Sequence, residues 1–339
     1  MGGGVCFAAV GLNHDHIYGM TRALLGAGAE LVTFFAAEEG PSAAFQKEFP
    51  QAKRAREQAE VLENTSIPLI VSAAIPSERA ALGIQAMRHG KDFLCDKPGF
   101  TTLAQLAEVR RVRAATKRFY TIYFGERFES PSTIKAGELA ASGAIGRVVQ
   151  TLNLGPHLAN VAKRPEWFFK RAHYGGILCD IASHSVDQFL YFTHSTTAEV
   201  VAAQVGNFRF PQYPEFEDFG DMILRGDQAS GYIRVDWYTP EGLGTWGDCR
   251  LFLLGTEGFI EARKNCDLAG RPGGEHLFLC TKEGTRYFDC KEVKLSGGAQ
   301  LLADFVQRTE TAMSQAHVFL ASELSLRAEA LAQRLGNLK

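Results

Sequence analysis

The sequence predicts an α/β protein in two parts: a doubly wound parallel sheet, then an α+β domain built on a large, mostly antiparallel open sheet. Three observations carry this. Continuous apolar runs alternate with helix-patterned segments as far as residue 124, the pattern of strands buried on both faces. Beyond that point strand candidates follow one another with polar–apolar alternation. Finally, 339 residues with a 46% hydrophobic share exceed what one core ordinarily supports and suffice to fill two.

Residues 5–10 read as the first strand, 17–26 as a helix closed near Gly26 and Gly28, and 30–36 as the second strand. Pro41 suits the first turn of a helix running to Phe49. The run IPLIVSAA at 67–74 is a further strand, followed by a helix over 77–89 that stops at Gly90. A strand at 93–95 comes next. Thr101 and Thr102 can cap a helix in which Leu103, Leu106, Ala107 and Ala114 share a face, and 119–124 closes the series. These elements make a first domain of residues 1–124.

In 231–238, Ile233, Val235 and Trp237 face one way while Tyr232, Arg234, Asp236 and Tyr238 face the other. Comparable runs fall at 147–154, 199–210, 218–224, 250–260, 276–280 and 286–291, and 301–334 is helical, so 125–339 forms the second domain. A sheet with helices on one face has another face to cover. Pairing into a homo-dimer or homo-tetramer is a common way to do it.

Composition removes several classes of function. The formal net charge is −2 and no basic stripe stands out, which argues against nucleic acid. No apolar run reaches the length of a membrane span. The N-terminal stretch MGGGVCFAAVG lacks the basic region of a signal peptide. Seven scattered cysteines without CxxC spacing fit free thiols in a reducing cytoplasm.

Four stretches carry candidate chemistry. In the first strand–helix turn, GLNHDHIYG, Gly11, Asn13 and His16 stand where a dinucleotide fingerprint places three glycines. Asn13 tolerates the left-handed conformation, whereas His16 denies the closest helix–strand approach. His14 and His16 point different ways, and no carboxylate or cysteine completes a metal site, so none is expected. The second strand ends in FFAAEEG, where Glu38 could grip ribose hydroxyls; no arginine follows to meet a 2′-phosphate, favouring NAD over NADP.

Lys97 follows the strand FLCD and precedes Pro98, which biases it toward extended geometry at the mouth of the sheet. It is either a stiffly held functional amine or a solvated lysine. In GGILCDIASHSVDQ one helix would bring Asp180, His184 and Asp187 onto one face, with Leu178, Ala182, Val186 and Phe189 opposite. That is a general-base arrangement or an amphipathic helix with an exposed Asp/His pair. His157, Asn160, Arg164 and Trp167 form a polar–aromatic cluster suited to a sugar or cyclic polyol, or a packed loop; Arg127 in GERF is a similar candidate.

Taken in order, Gly90, FLCDKP, GERF at 125–128, GAIG at 143–146 and GGILCDIASHSVD resemble the glucose–fructose oxidoreductase, inositol dehydrogenase and MocA family across nearly the whole chain. The resemblance implies an N-terminal Rossmann domain bound to NAD, with NADP possible, and a C-terminal sheet domain used in oligomerisation. It implies a catalytic set mapping onto Lys97, Asp180 and His184, and a cofactor contact region that takes in Pro76, Asp96 and Lys97. Asp96 replaces the family's usual Glu, and Arg79 stands near the place of a usual histidine. The implied activity is NAD(P)-dependent hydride transfer to or from a secondary hydroxyl of a sugar, polyol or related small molecule. A glycosidase or lyase with transient redox, or a non-catalytic nucleotide sensor, are the alternatives.

Overall fold

A computed structural model of the protein describes residues 4–336. The first residues of the N-terminal stretch considered above, and the outer ends of both expected domains, lie outside the described residues.

The strands are β1 (Cys6–Val10), β2 (Glu30–Phe35), β3 (Lys53–Arg54), β4 (Leu69–Ser72), β5 (Asp92–Asp96), β6 (Tyr120–Tyr123), β7 (Val148–Pro156), β8 (Ala198–Gly206), β9 (Phe219–Gly226), β10 (Ser230–Asp236), β11 (Arg250–Gly255), β12 (Gly258–Arg263), β13 (His276–Thr281), β14 (Gly284–Asp289) and β15 (Gln333–Arg334). The α-helices are α1 (His16–Gly26), α2 (Glu39–Glu48), α3 (Gln58–Glu63), α4 (Pro76–Arg88), α5 (Leu103–Thr116), α6 (Gly125–Phe128), α7 (Pro131–Ala141), α8 (Arg171–Tyr174), α9 (Ile177–Asp180), α10 (Ala182–Thr193), α11 (Gly297–Gln307) and α12 (Gln315–Leu331). Among the described residues no helix is long and apolar enough to cross a membrane.

The first compact unit holds the chain up to Tyr123 together with Ser296–Phe319. The sequence alone places that later segment in the second domain. Its sheet is parallel, in the order β3-β2-β1-β4-β5-β6, so the strand order reverses between β1 and β4, where such sheets bind ligands. Strands β4, β5 and β6 are buried along their whole lengths, as their unbroken apolar text required. The returning segment covers the β6 edge. Gln315 Oε1 accepts from the Tyr120 N–H at 3.0 Å, Arg308 Nη1 lies 2.5 Å from Asp92 Oδ2, and Gly298 packs against the Ala23 carbonyl of α1.

The second unit holds Phe124–Leu295 and the chain from Leu320. Its nine strands run β14-β13-β12-β11-β7-β10-β9-β8-β15. The pairs β7–β10 and β8–β15 are parallel and the others antiparallel. Inward-facing Leu251, Leu253, Ile260, Ala262, Leu277 and Leu279 meet Ala136 and Ile145 in one core. The expected facing in β10 holds for Ile233, Val235 and Trp237, all buried, but Asp236 is buried as well.

Four expected elements differ. The run 199–210 stops as a strand at Gly206, and 250–260 is a hairpin of β11 and β12 turning at Thr256 and Glu257; a two-residue turn of polar side chains fits within the same alternation. The tail is two helices and a short strand. The helix expected after Gly176 is broken at Ile181 into α9 and α10. Both pieces bury against the sheet, so no change of polarity marks the break. For the same reason α10 has no exposed Asp/His face: every residue from Ala182 to Leu190 is buried.

Helix α4 lies close on the sheet at Gly83, where an added Cβ would sit 2.4 Å from Tyr120 Cε2 and 2.7 Å from Phe93 Cδ1. Those rings are buried, packed on each other at 5.1 Å, and Tyr120 Oη donates to the Gly99 carbonyl at 2.7 Å. Gly to Ala inside a helix ordinarily gains up to about 1 kcal/mol, while overpacking a fixed core costs about 1–3 kcal/mol. Gly83→Ala is therefore expected to destabilise the protein by about 1 kcal/mol net, read from urea midpoints; a stabilised variant would refute the close packing.

Candidate active site

At the carboxyl end of the parallel sheet, Gly11 ends β1 with φ +74°, and a Cβ there would lie 2.5 Å from Ala74 Cβ. The Gly11 N–H donates to Phe35 O, the Ala73 N–H to Gly11 O and the His14 N–H to Ala73 O, each at 3.0 Å, fixing the turn before α1. The positive φ belongs to Gly11; Asn13 is not among the residues with positive φ. Asn13 acts instead through its amide, donating to Glu38 Oε1 at 2.8 Å. Helix α1 has no acidic residue in its first turn and no side-chain cap from Asp15, which leaves its positive end suited to an anion.

His16 does not obstruct the helix–sheet contact, which is made by Ile17, Met20 and Leu24. Its ring turns outward, half-exposed, with Nδ1 2.9 Å from Asp96 Oδ1. His14 Nδ1 lies 3.8 Å from Asp96 Oδ2 and accepts from the His16 backbone N–H at 3.2 Å. The carboxylate thought missing beside the two histidines is therefore Asp96, and the three offer ligand atoms within 4.8 Å of one another. Buried Arg79 also pairs with this carboxylate: Nη2 is 3.1 Å from Asp96 Oδ2, Nη1 donates to the carbonyls of Asp96 and Pro98, and Nε donates to Ala74 O at 2.7 Å.

Burial alone would raise the Asp96 pKa, but His16 and Arg79 more than offset it and hold the carboxyl well below its usual range. Burial lowers His14, and the charges of His16, Lys97 and Arg79 add to this, so His14 is neutral. Lys97 itself is only 6% exposed; it is no solvated surface lysine. The Lys97–Pro98 peptide is cis. Pro76 is the first residue of α4 and buried. An arginine does stand near the acidic tip of β2: Arg54 of β3 pairs with Glu39 at 2.8 Å, a neighbour the linear order hid.

In the second unit a small cleft is lined by His184, His157, Gln188, Glu126, Lys264 and Arg250, among others. The break at Ile181 delivers His184, whose N–H donates to Ile181 O at 3.2 Å. Asp180 ends α9, half-buried, its carbonyl accepting from Ser183 Oγ at 2.9 Å. Lys264 Nζ lies 2.5 Å from Glu126 Oε2 and Arg250 Nη2 3.0 Å from Asp248 Oδ2. Gln188 accepts from Asn153 at 2.6 Å and donates to the Glu126 carbonyl at 3.1 Å. His157 is wedged between Trp246 and Trp237, ring centroids 4.6 and 5.4 Å away.

The other candidates lie elsewhere. Arg127 is buried with Nε 2.9 Å from Asp187 Oδ2 and its guanidinium over Phe128 and Tyr191. Asp187 is thus turned to Arg127. Arg164 stacks on Phe168 and Trp237 and donates to Ala159 O; Trp167 packs on Phe168, and Asn160 is exposed in the left-handed region. None of these four lines the cleft. Sequence reasoning noted Arg79 only as standing near the place of a usual histidine and missed Glu126, Gln188 and Lys264; the GERF motif that holds Arg127 also contains Glu126.

Residues 133–261 match the family model of the GFO/IDH/MocA C-terminal domain. An uncharacterized oxidoreductase of Schizosaccharomyces pombe is 26% identical over 218 residues, 62% of this chain and 56% of the relative, so the chain spans little more than half of that protein's length. The crystal structure of a provisionally assigned oxidoreductase from Erwinia carotovora atroseptica SCRI1043 is 46% identical, with a TM-score of 0.95 over 98% of this chain and 100% of that one. Levoglucosan dehydrogenase, solved with NADH and levoglucosan, shares the fold at 16% identity, TM-score 0.78 and 96% coverage of each chain.

Breaking a buried ion pair by removing one partner costs about 3–5 kcal/mol. Asp96→Asn leaves Arg79 buried with its three carbonyl acceptors, so a loss of about 3 kcal/mol is expected at neutral pH. Because the folded carboxyl sits below the unfolded value of 3.8, its stabilisation is present above that value and lost as pH falls through the folded pKa. The gap between wild type and variant should therefore begin to narrow as pH falls below about 3.8. Urea unfolding at about pH 7 and about pH 3 measures both; equal stabilities at neutral pH would contradict the pairing.

Proposed function

The chain belongs to the Gfo/Idh/MocA oxidoreductase family, and we propose that it is a nicotinamide-dependent dehydrogenase acting on a secondary hydroxyl of a neutral, hydroxyl-rich small molecule such as a sugar or cyclic polyol. The observation that carries the substrate class is the cleft beside His184, whose charges cancel in pairs: Lys264 with Glu126, and Arg250 with Asp248. Such a lining presents hydrogen-bond donors and acceptors without net charge, and His157 on its two tryptophans adds an aromatic wall.

The residues of the first unit fit a dinucleotide. The N–H groups that open α1 behind the Gly11 turn, which no side chain caps, suit a pyrophosphate. Glu38, held by Asn13, suits the ribose hydroxyls of NAD and would repel a 2′-phosphate, while the charge of Arg54 is taken by Glu39. When bound, the nicotinamide supplies the hydride acceptor. Lys97 and His184 take and return the hydroxyl proton, and Asp180 orients the His184 imidazole. Lys97 belongs to the first unit and His184 to the second.

The outward face of the second sheet carries Ile223, Leu254, Phe259 and Tyr287, each 42–46% exposed. A second copy of the chain is the proposed cover for it.

Incubation with NAD or NADP and a panel of sugars and polyols is expected to accumulate reduced nicotinamide, with NAD preferred. Lys97→Ala and His184→Ala should each lower kcat by about 10²–10⁴, His184→Ala without weakening NAD binding. Turnover of Lys97→Ala at the wild-type rate would remove that residue from the chemistry. In sedimentation, the wild type is expected as a dimer or larger and Leu254→Glu as a smaller species; a monomeric wild type would end the oligomer proposal.

A further inference from the structure

The turn that opens α9 is clamped by two carboxylates from distant parts of the second unit. Glu217, with no exposed surface, accepts from the Ile177 N–H at 3.0 Å, and Glu329 accepts from the Leu178 N–H at 3.0 Å. Gly176 has φ +102°, and a Cβ on it would lie 2.2 Å from Glu329 Cδ and 2.4 Å from both of its oxygens. On the far side, Ile177 and Leu178 pack on Gly220 of β9. The groups facing Glu329 are Arg171 and Tyr174 of α8 and Glu217 before β9, and Arg334 of β15 faces Glu217. Arg171 Nη1 contacts both carboxylates, 2.8 Å from Glu329 Oε1, and Arg334 Nη2 is 2.9 Å from Glu217 Oε1.

We propose that Glu217 and Glu329 are positioning residues: by holding the first two N–H groups of α9 they fix Asp180 at its end and the break that delivers His184. This rests on the dehydrogenase reading in assigning those two residues to the reaction. The clamp works with one proton between the carboxylates. Burial, then the charge of Glu217, pushes Glu329 up to about 8, so it is neutral below that pH and bonds to Glu217. Above it two buried carboxylates face each other, while Arg171 and Arg334 are 35% and 47% exposed and partly screened by water. Since the folded pKa lies above the unfolded 4.5, this group's contribution to stability declines from about pH 4.5 to about 8 and is flat beyond.

Glu329→Gln keeps an acceptor for Leu178 and a permanent donor for Glu217. The ratio of its kcat to the wild-type kcat cancels every titration the two enzymes share. That ratio is expected near one at about pH 7 and several-fold higher above a midpoint of about 8. Glu329→Ala should lose kcat by about tenfold with the KM for NAD unchanged; a flat Gln ratio, or an Ala variant with normal kcat, overturns the proposal. Hydrogen exchange of peptides covering 176–185 reads the clamp without turnover. Wild type should lose protection between about pH 7 and about pH 9 beyond the intrinsic rate increase, and Glu329→Gln should not. If wild type oxidises no substrate, the dehydrogenase reading fails and exchange alone decides; identical exchange in the two proteins sinks the clamp.

Discussion

An arginine without exposed surface sets the geometry of the first unit. Burying a guanidinium is costly unless its donors are used, and Arg79 uses them on Ala74 O beyond β4, Asp96 O and Pro98 O beyond β5, and the Asp96 carboxylate. Those acceptors lie at adjacent strand ends, so satisfying one side chain fixes the spacing of two loops at once. Lys97 stands between two of them. Its placement thus follows from where Arg79 can be satisfied.

The second unit solves the same problem in a similar way. Arg127 and Asp187 tie α6 to α10, while Glu217, Glu329 and Arg171 tie α8, α12 and the approach to β9 to the start of α9. Well-packed apolar side chains of equal volume would often be as stabilising as buried ion pairs. They would not specify direction. Apolar packing against Gly220 or Gly231 permits a helix to slide by small amounts, whereas a carboxylate on a single N–H does not. The polar contacts cluster around the elements that carry Asp180 and His184, where such direction matters.

What was legible in the sequence follows from the range of the forces. Strands buried on both faces announce themselves in five to eight consecutive letters, and the parallel order followed from helices lying between them. β3 has two exposed residues and no apolar text at all, and the β11–β12 turn and the break at Ile181 change neither polarity nor period. Punctuation singled out Lys97 and the diglycine before α9. Their supports were not visible, because each is a pairing across the fold: Glu126 with Lys264 is 138 residues apart, Leu178 with Glu329 is 151, and Asp96 with His16 is 80. A motif search reads neighbours along the chain, and these charges have their partners in space.

The electrostatics of the two units differ in a way that bears on the proposed division of labour. At the end of the parallel sheet the cations are Arg79 and Lys97, and burial keeps His14 neutral. The N–H groups that open α1 lie at that rim, so it favours an anion. In the second unit's cleft each charge has its opposite within a hydrogen bond, so an ionic ligand would have to break a pair to gain one. A dinucleotide brings negative charge and a sugar brings none. The displaced third glycine fits this reading too: His16 turns out from the helix to bind Asp96, which leaves Ile17 to make the sheet contact and keeps the turn before α1 open to an anion.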